Sequence, residues 1–234
     1  SLVKNRLAEQ HLSRGLQLME LDELEAALVE FQQAVELNPR LAAAHSRMGA
    51  IYQHQGRYEQ AAECLAQAVK LNPTSYQDAF SLAQVYHVLN RLREAIKAYL
   101  HACDLHPDSF EATVNLAVCY HQLGELEQAA HYYQRAIALN PDSAFSYANL
   151  GAVYDAQGKY YEAIRAYKQS LERDSRQPMV LVNLATTYLK QERFLAAANA
   201  LRLALKMNSD LAVAHERLGY CMLRQGDYQA ALEH

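Results

Sequence analysis

The chain has 234 residues, 51% apolar and 21% charged, with a formal net charge of −4 at pH 7. That is enough apolar material to bury a core, and an acidic balance without a basic face excludes nucleic acid as the expected partner. No apolar run approaches the roughly 20 residues a membrane-spanning helix needs, so no membrane insertion is expected; nor does Ser1-Leu2-Val3-Lys4-Asn5-Arg6 open a secretory leader.

Read from the N-terminus, the first punctuation is Glu36-Leu37-Asn38-Pro39. It returns as Lys70-Leu71-Asn72-Pro73, Asp104-Leu105-His106-Pro107 and Ala138-Leu139-Asn140-Pro141, so the prolines stand 34 residues apart. A fixed period of this size marks a solenoid. In this frame a single array fills 1–234, with full repeats at 8–41, 42–75, 76–109, 110–143, 144–177 and 178–211 and a partial seventh at 212–234, ending within its second helix. Repeat position 8 is small throughout: Gly15, Gly49, Ala83, Ala117, Gly151, Ala185, Gly219. Position 20 is always alanine, from Ala27 and Ala61 to Ala197 and Ala231, and position 27 is alanine or Ser170. Position 24 is bulky: Phe31, Leu65, Tyr99, Tyr133, Tyr167, Leu201.

The fifth repeat shows what these columns build. Tyr147, Leu150, Gly151 and Tyr154 follow the i, i+3, i+4, i+7 spacing of one helix face. Gly158 breaks that helix, and Tyr160, Ala163, Tyr167 and Ser170 form one face of a second. Each repeat is therefore helix A, a turn, helix B and a linker. The small residue at position 8 is expected to face the alanine at position 20, letting the two helices approach. The spacing of Asp108 and Glu111 predicts a capping box for the fourth helix A.

The pattern, best seen in Tyr147-Ala148-Asn149-Leu150-Gly151-Ala152-Val153-Tyr154 followed by Gly158, Tyr160, Ala163 and Tyr167, resembles the tetratricopeptide repeat family over nearly the whole chain. The resemblance implies an all-α fold, a right-handed superhelical solenoid of stacked antiparallel helix pairs, with A helices lining a concave groove. It also implies a protein-protein interaction scaffold whose partner is a protein or extended peptide, with no catalytic role and no cofactor.

Position 6 on helix A points into that groove and reads Ser13, Arg47, Ser81, Asn115, Asn149, Asn183, Arg217. Three consecutive asparagines could bond the main chain of an extended peptide, because an amide both donates and accepts. The column resembles the asparagine ladder in the repeat domain of O-GlcNAc transferase; the alternative is that these amides bond the neighbouring helix. His87, His121 and Asp155 at position 12 are further candidates, as are His54, Gln122 and Lys190 at position 13. Phe80, Val114 and Val182 at position 5, with Phe145 and Met179 at position 2, are expected to add apolar surface. Against the carboxylate clamp of tetratricopeptide co-chaperones, Asn183 and Arg217 match, but Ala148, Ala152 and Val213 occupy the other places, which disfavours a chaperone tail as ligand.

No phosphate-binding, nucleophile-elbow or zinc-protease motif occurs. Cys103, His106, Cys119 and His121 look superficially like a metal set, but the repeat frame puts them on different helices, so no metal is expected. Cys64, Cys103, Cys119 and Cys221 lack a CxxC pair and read as free thiols, pointing to a cytoplasmic setting. Ser1 fits a cleavage scar, and Leu232-Glu233-His234 fits native helix as well as the start of a histidine tag. Two other roles stay open: a substrate-presenting arm of a larger enzyme such as a glycosyltransferase, and self-association through the truncated end repeat.

Overall fold

The computed structural model describes residues 1–233; His234 and the side chains of Tyr228, Ala230, Ala231 and Glu233 lie outside the description, and with them the seventh alanine of the position-20 column. The described residues form α-helices joined by short turns, without a strand. The chain divides into two compact units. The first, Ser1–Leu123, holds α1 (Leu2–Glu20), α2 (Leu24–Leu37), α3 (Ala42–His54), α4 (Tyr58–Leu71), α5 (Tyr76–Val88), α6 (Leu92–Leu105) and α7 (Phe110–Leu123). The second, from Gly124 on, holds α8 (Leu126–Leu139), α9 (Ala144–Ala156), α10 (Tyr160–Arg173), α11 (Pro178–Lys190), α12 (Phe194–Met207) and α13 (Ala212–Glu233). Inside each unit every helix packs on the next in chain order, the arrangement of an all-α helical-repeat solenoid.

The turn between A and B is built the same way six times. Repeat position 15 is left-handed in every full repeat: Asp22, Gly56, Asn90, Gly124, Gly158 and Glu192 all have φ between +58° and +84°. In the fifth repeat the next amide, Lys159, reaches back to the carbonyl of Tyr154 at 2.8 Å, and Arg57, Arg91 and Arg193 do the same to Tyr52, Tyr86 and Tyr188. This six-residue closure satisfies the end of helix A and launches helix B directly. A cation from position 16 then lies over the ring at position 11: Arg57 on Tyr52 at 4.6 Å, Arg91 on Tyr86 and Arg193 on Tyr188 at 4.7 Å.

The linker from B to the next A is an aspartate–asparagine turn. Asn38, Asn140, Asp174 and Asn208 each accept, through Oδ1, the amide two residues on, at 3.0–3.2 Å. Ser75, Ser109 and Ser143 at position 34 then cap α5, α7 and α9, accepting from the amides of Asp78, Ala112 and Ser146. The cap of α7 is thus Ser109 and not the expected Asp108: the linker turn ends one residue later than the sequence spacing suggested.

The core follows the columns, with two corrections. All six alanines at position 20 in the full repeats are fully buried, as are Phe31, Tyr133 and Leu201 at position 24. The nearest neighbours of the position-8 glycines in the first, second and fifth repeats are at position 24, however, ahead of the expected alanine at position 20. A Cβ on Gly151 would stand 2.7 Å from the ring of Tyr167, one on Gly15 would be 2.5 Å from Phe31, and one on Gly49 would be 2.6 Å from Leu65. Small-against-large across the A–B contact is what sets the close approach. The second correction concerns position 5. Phe80 and Val114 are 7% exposed and Val182 is fully buried; α5 and α11 each pack on their own B helix and on that of the preceding repeat, and α7 packs on α6. Of the apolar residues expected at the surface, only those at position 2 are there: Phe145 is 55% exposed and Met179 50%.

α13 also departs from the frame. It runs unbroken through Gly226, the seventh position 15, where a turn and a second helix were expected. Gly226 stays within α13 and does not take the left-handed turn of the other position-15 residues. Accordingly Gly219, unlike Gly15, Gly49 and Gly151, has no neighbour within 4 Å of an added Cβ.

Candidate functional site

The A helices carry every candidate side chain, and the two units distribute them. In the first unit Arg47 on α3, Ser81 on α5 and Asn115 on α7 hold position 6, with His87 and His121 at position 12. In the second, Asn149 on α9, Asn183 on α11 and Arg217 on α13 hold position 6, with Asp155 at position 12. Helices α9 and α11, and α11 and α13, are in direct contact, so the second unit's three members of the column belong to one face of neighbouring helices.

Their states differ. Asn115 is half-buried and hydrogen-bonds the hydroxyl of Tyr99, the buried position-24 ring of the preceding repeat. Asn149 is half-buried and donates Nδ2 to the carbonyl of Phe145 at 2.8 Å within its own helix, which leaves its Oδ1 as an acceptor. Asn183 is exposed. Arg47 is exposed and Arg217 half-buried, whereas Ser81 is 9% exposed and accepts a hydrogen bond from Gln77.

At position 12 the side chains reach the next repeat. His87 donates from Nε2 to Oε1 of Gln122 at 2.8 Å, which fixes its tautomer. Asp155 accepts from Nζ of Lys190 at 2.6 Å and from the hydroxyl of Thr187 at 2.8 Å. Both pairs with position 13 span 35 residues, one repeat plus one, so the polar rungs tie neighbouring A helices together. Thr187, buried against Asp155, was not among the sequence candidates; its signal is the same near-repeat offset. His121 is half-buried, and burial pushes its pKa below the ordinary histidine value, so it is neutral at pH 7.

Cys103, His106, Cys119 and His121 do not converge: Cys103 lies 3.8 Å from the hydroxyl of Thr113, and His106 is tilted against the ring of Tyr76. Burial pushes the thiol pKa values of Cys64 and Cys119 up to about 11 and about 12, which keeps both protonated at neutral pH. None of the four cysteines is joined in a disulfide. No described helix is long and apolar enough to cross a membrane.

The chain thus presents helix pairs on a 34-residue period, A helices bearing polar rungs, and a small-against-large contact inside the first, second and fifth pairs. Residues 73–234 match the family model for the cilia and flagella-associated protein 70 C-terminal domain. The chain belongs to this family. Residues 42–75 and 15–56 also match tetratricopeptide repeat models, so this member of the cilia and flagella-associated protein 70 C-terminal domain family is a tetratricopeptide protein along most of its length. No curated protein matches its sequence. Among solved structures the family member is similar to YrrB, described as a tetratricopeptide protein with an unusual peptide-binding site, at 21% identity and a TM-score of 0.70, covering 80% of this chain and 96% of that one. It is similar to MamA at 22% identity and a TM-score of 0.66, covering 73% and 93%. It is also similar to PilF of Pseudomonas aeruginosa at 18% identity and a TM-score of 0.62, covering 91% and 97%. At these identities the likeness concerns the fold.

Proposed function

We propose that the chain is a non-catalytic scaffold that holds an extended peptide segment of a partner protein against the A helices of its second unit. One observation carries this reading: Phe145 and Met179, 55% and 50% exposed at position 2 of α9 and α11, each stand one helical turn before Asn149 and Asn183. An apolar anchor beside an amide, repeated on helices in contact, suits a peptide that buries alternate side chains while its main chain bonds the amides. The rung of Asp155 and Lys190 and the guanidinium of Arg217 add charge for register. Asn115 extends the column in sequence; its amide is engaged by Tyr99, so ligand contact there requires exchange of that bond. The peptide-binding site in YrrB's description and the cilia and flagella of the family's name support a peptide ligand and a cilium- or flagellum-associated partner.

The test is a peptide-library selection on the whole chain, followed by titration of selected peptides against Asn149→Ala/Asn183→Ala and Phe145→Ser/Met179→Ser. Loss of two anchors or two amide contacts should weaken binding by about tenfold or more. Peptides that bind both variants as tightly as the unaltered chain would overturn the assignment.

A further inference from the structure

The B helices of the second unit carry a surface that the peptide site does not use. α12 has no acidic residue, whereas each of α2, α4, α6, α8 and α10 has at least one. Its outward face shows Leu195, 60% exposed, and Leu203, 45% exposed, with the exposed cations Arg202 and Lys206. α10 repeats the row at the same repeat positions, with Tyr161 opposite Leu195 and Lys168 opposite Arg202, and adds Arg165. Tyr161 is 77% exposed. Both helices pack on α11, which holds these rows on one side of the unit. Arg165, Lys168, Arg202 and Lys206 are exposed and, among the described residues, none has a carboxylate within ion-pair distance. In the turns before α4 and α6, by contrast, Arg57 lies by Glu25, and Arg91 by Glu59 and Glu94.

Large apolar side chains left in water among uncompensated cations mark a contact surface. We infer that the outer face of α10 and α12 docks an acidic amphipathic helix of a partner protein, its apolar side chains seated on Tyr161, Leu195 and Leu203 and its carboxylates on the four cations. The charge pattern selects this occupant. Carboxylates spaced along a helix can pair with cations at positions 22, 25 and 29 while skirting Glu162 and Glu172 on α10, which a continuous anionic lipid surface cannot avoid. The surface is separate from the A-helix site, so each can fail alone.

The probe is a fluorescent helical peptide of about 18 residues with leucines at i, i+3, i+4 and i+7 and flanking glutamates, alongside a copy with lysine for every glutamate. Measured by anisotropy on the whole chain, the acidic peptide should bind, weaken as salt is raised, and lose about tenfold or more against Arg165→Glu/Lys168→Glu/Arg202→Glu/Lys206→Glu. The milder set with glutamine at those four positions gives the same reading should the charge reversals impair folding, which circular dichroism checks. Asn149→Ala/Asn183→Ala should leave this binding unchanged. No binding of the acidic peptide, equal binding of the lysine copy, or full affinity in the glutamine set would overturn the inference. So would binding of phosphatidylserine-containing vesicles without binding of the peptide.

Discussion

Gly151 and Tyr167 form the contact on which the spacing of a helix pair turns. A Cβ at residue 151 would enter the Tyr167 ring, at 2.7 Å from Cδ1, and the ring is 3% exposed, with no free space to swing into. Gly151→Leu should therefore destabilise by about 3 kcal/mol, the upper end for overpacking, and Tyr167→Ala by about 3–5 kcal/mol through the cavity left. Because the two side chains meet, Gly151→Leu/Tyr167→Ala should cost clearly less than the sum of the singles in urea unfolding. Strict additivity would mean that position 8 does not face position 24. The sequence columns made both residues visible as core, yet paired the glycine with Ala163. A column marks a residue as small or large; it does not say which residue one helix away fills the space.

His121 gives a second residue-scale expectation. Burial holds its imidazole below its ordinary value, so the folded protein binds fewer protons than the unfolded chain once pH falls through about 6.5. Its contribution is fully present above that pH and is lost as pH falls towards the folded pKa. Thermal melts of His121→Gln should fall less steeply than those of the unaltered chain between pH 7 and more acidic conditions; parallel curves would contradict the burial argument.

At the scale of the element, position 15 decides where helix A ends. Gly158 announced this in the sequence, but Asp22, Asn90 and Glu192 adopt the same left-handed backbone without being glycine. The requirement is geometric: the amide of position 16 must reach the carbonyl of position 11, and only φ > 0 at position 15 allows it. Glu192 at φ 58° bears the steric cost of its Cβ, so Glu192→Gly should stabilise by about 0.5–1 kcal/mol in chemical denaturation. Asn90→Gly should gain less, since asparagine tolerates this region. No gain at Glu192 would mean that its side chain makes compensating contacts.

Two other element-level features were not legible. Phe80, Val114 and Val182 read as the solvent side of an amphipathic helix, but α5 and α11 are each covered by two B helices and bury more of their circumference than one helix–helix contact requires, and α7 buries Val114 within the first unit. The continuity of α13 through Gly226 was hidden because the local signal there matches the other turns. What differs is the absence, among the described residues, of a packed helix B to hold such a turn closed.

At the scale of the molecule, each helix packs mainly on its chain neighbours, so stability in either unit is a sum of local pairings. The period and the all-α repeat architecture were readable because they recur in every copy. The proposed recognition surface was only partly readable. Asn183, Phe145 and Met179 stand at the surface and Asn149 is half-buried, whereas Ser81 is buried and His87 and Asp155 brace adjacent helices. Exposure depends on the neighbouring repeat, which a column read alone does not contain.

The central claim is that the A-helix face of α9 and α11 is where a peptide lies. Its most direct test is a nuclear magnetic resonance titration of the isotope-labelled chain with a library-selected peptide, following the side-chain amides of Asn149 and Asn183 and the methyl group of Met179. The account predicts saturable shifts concentrated on these groups. Shifts that leave them still while others move on saturation would contradict it.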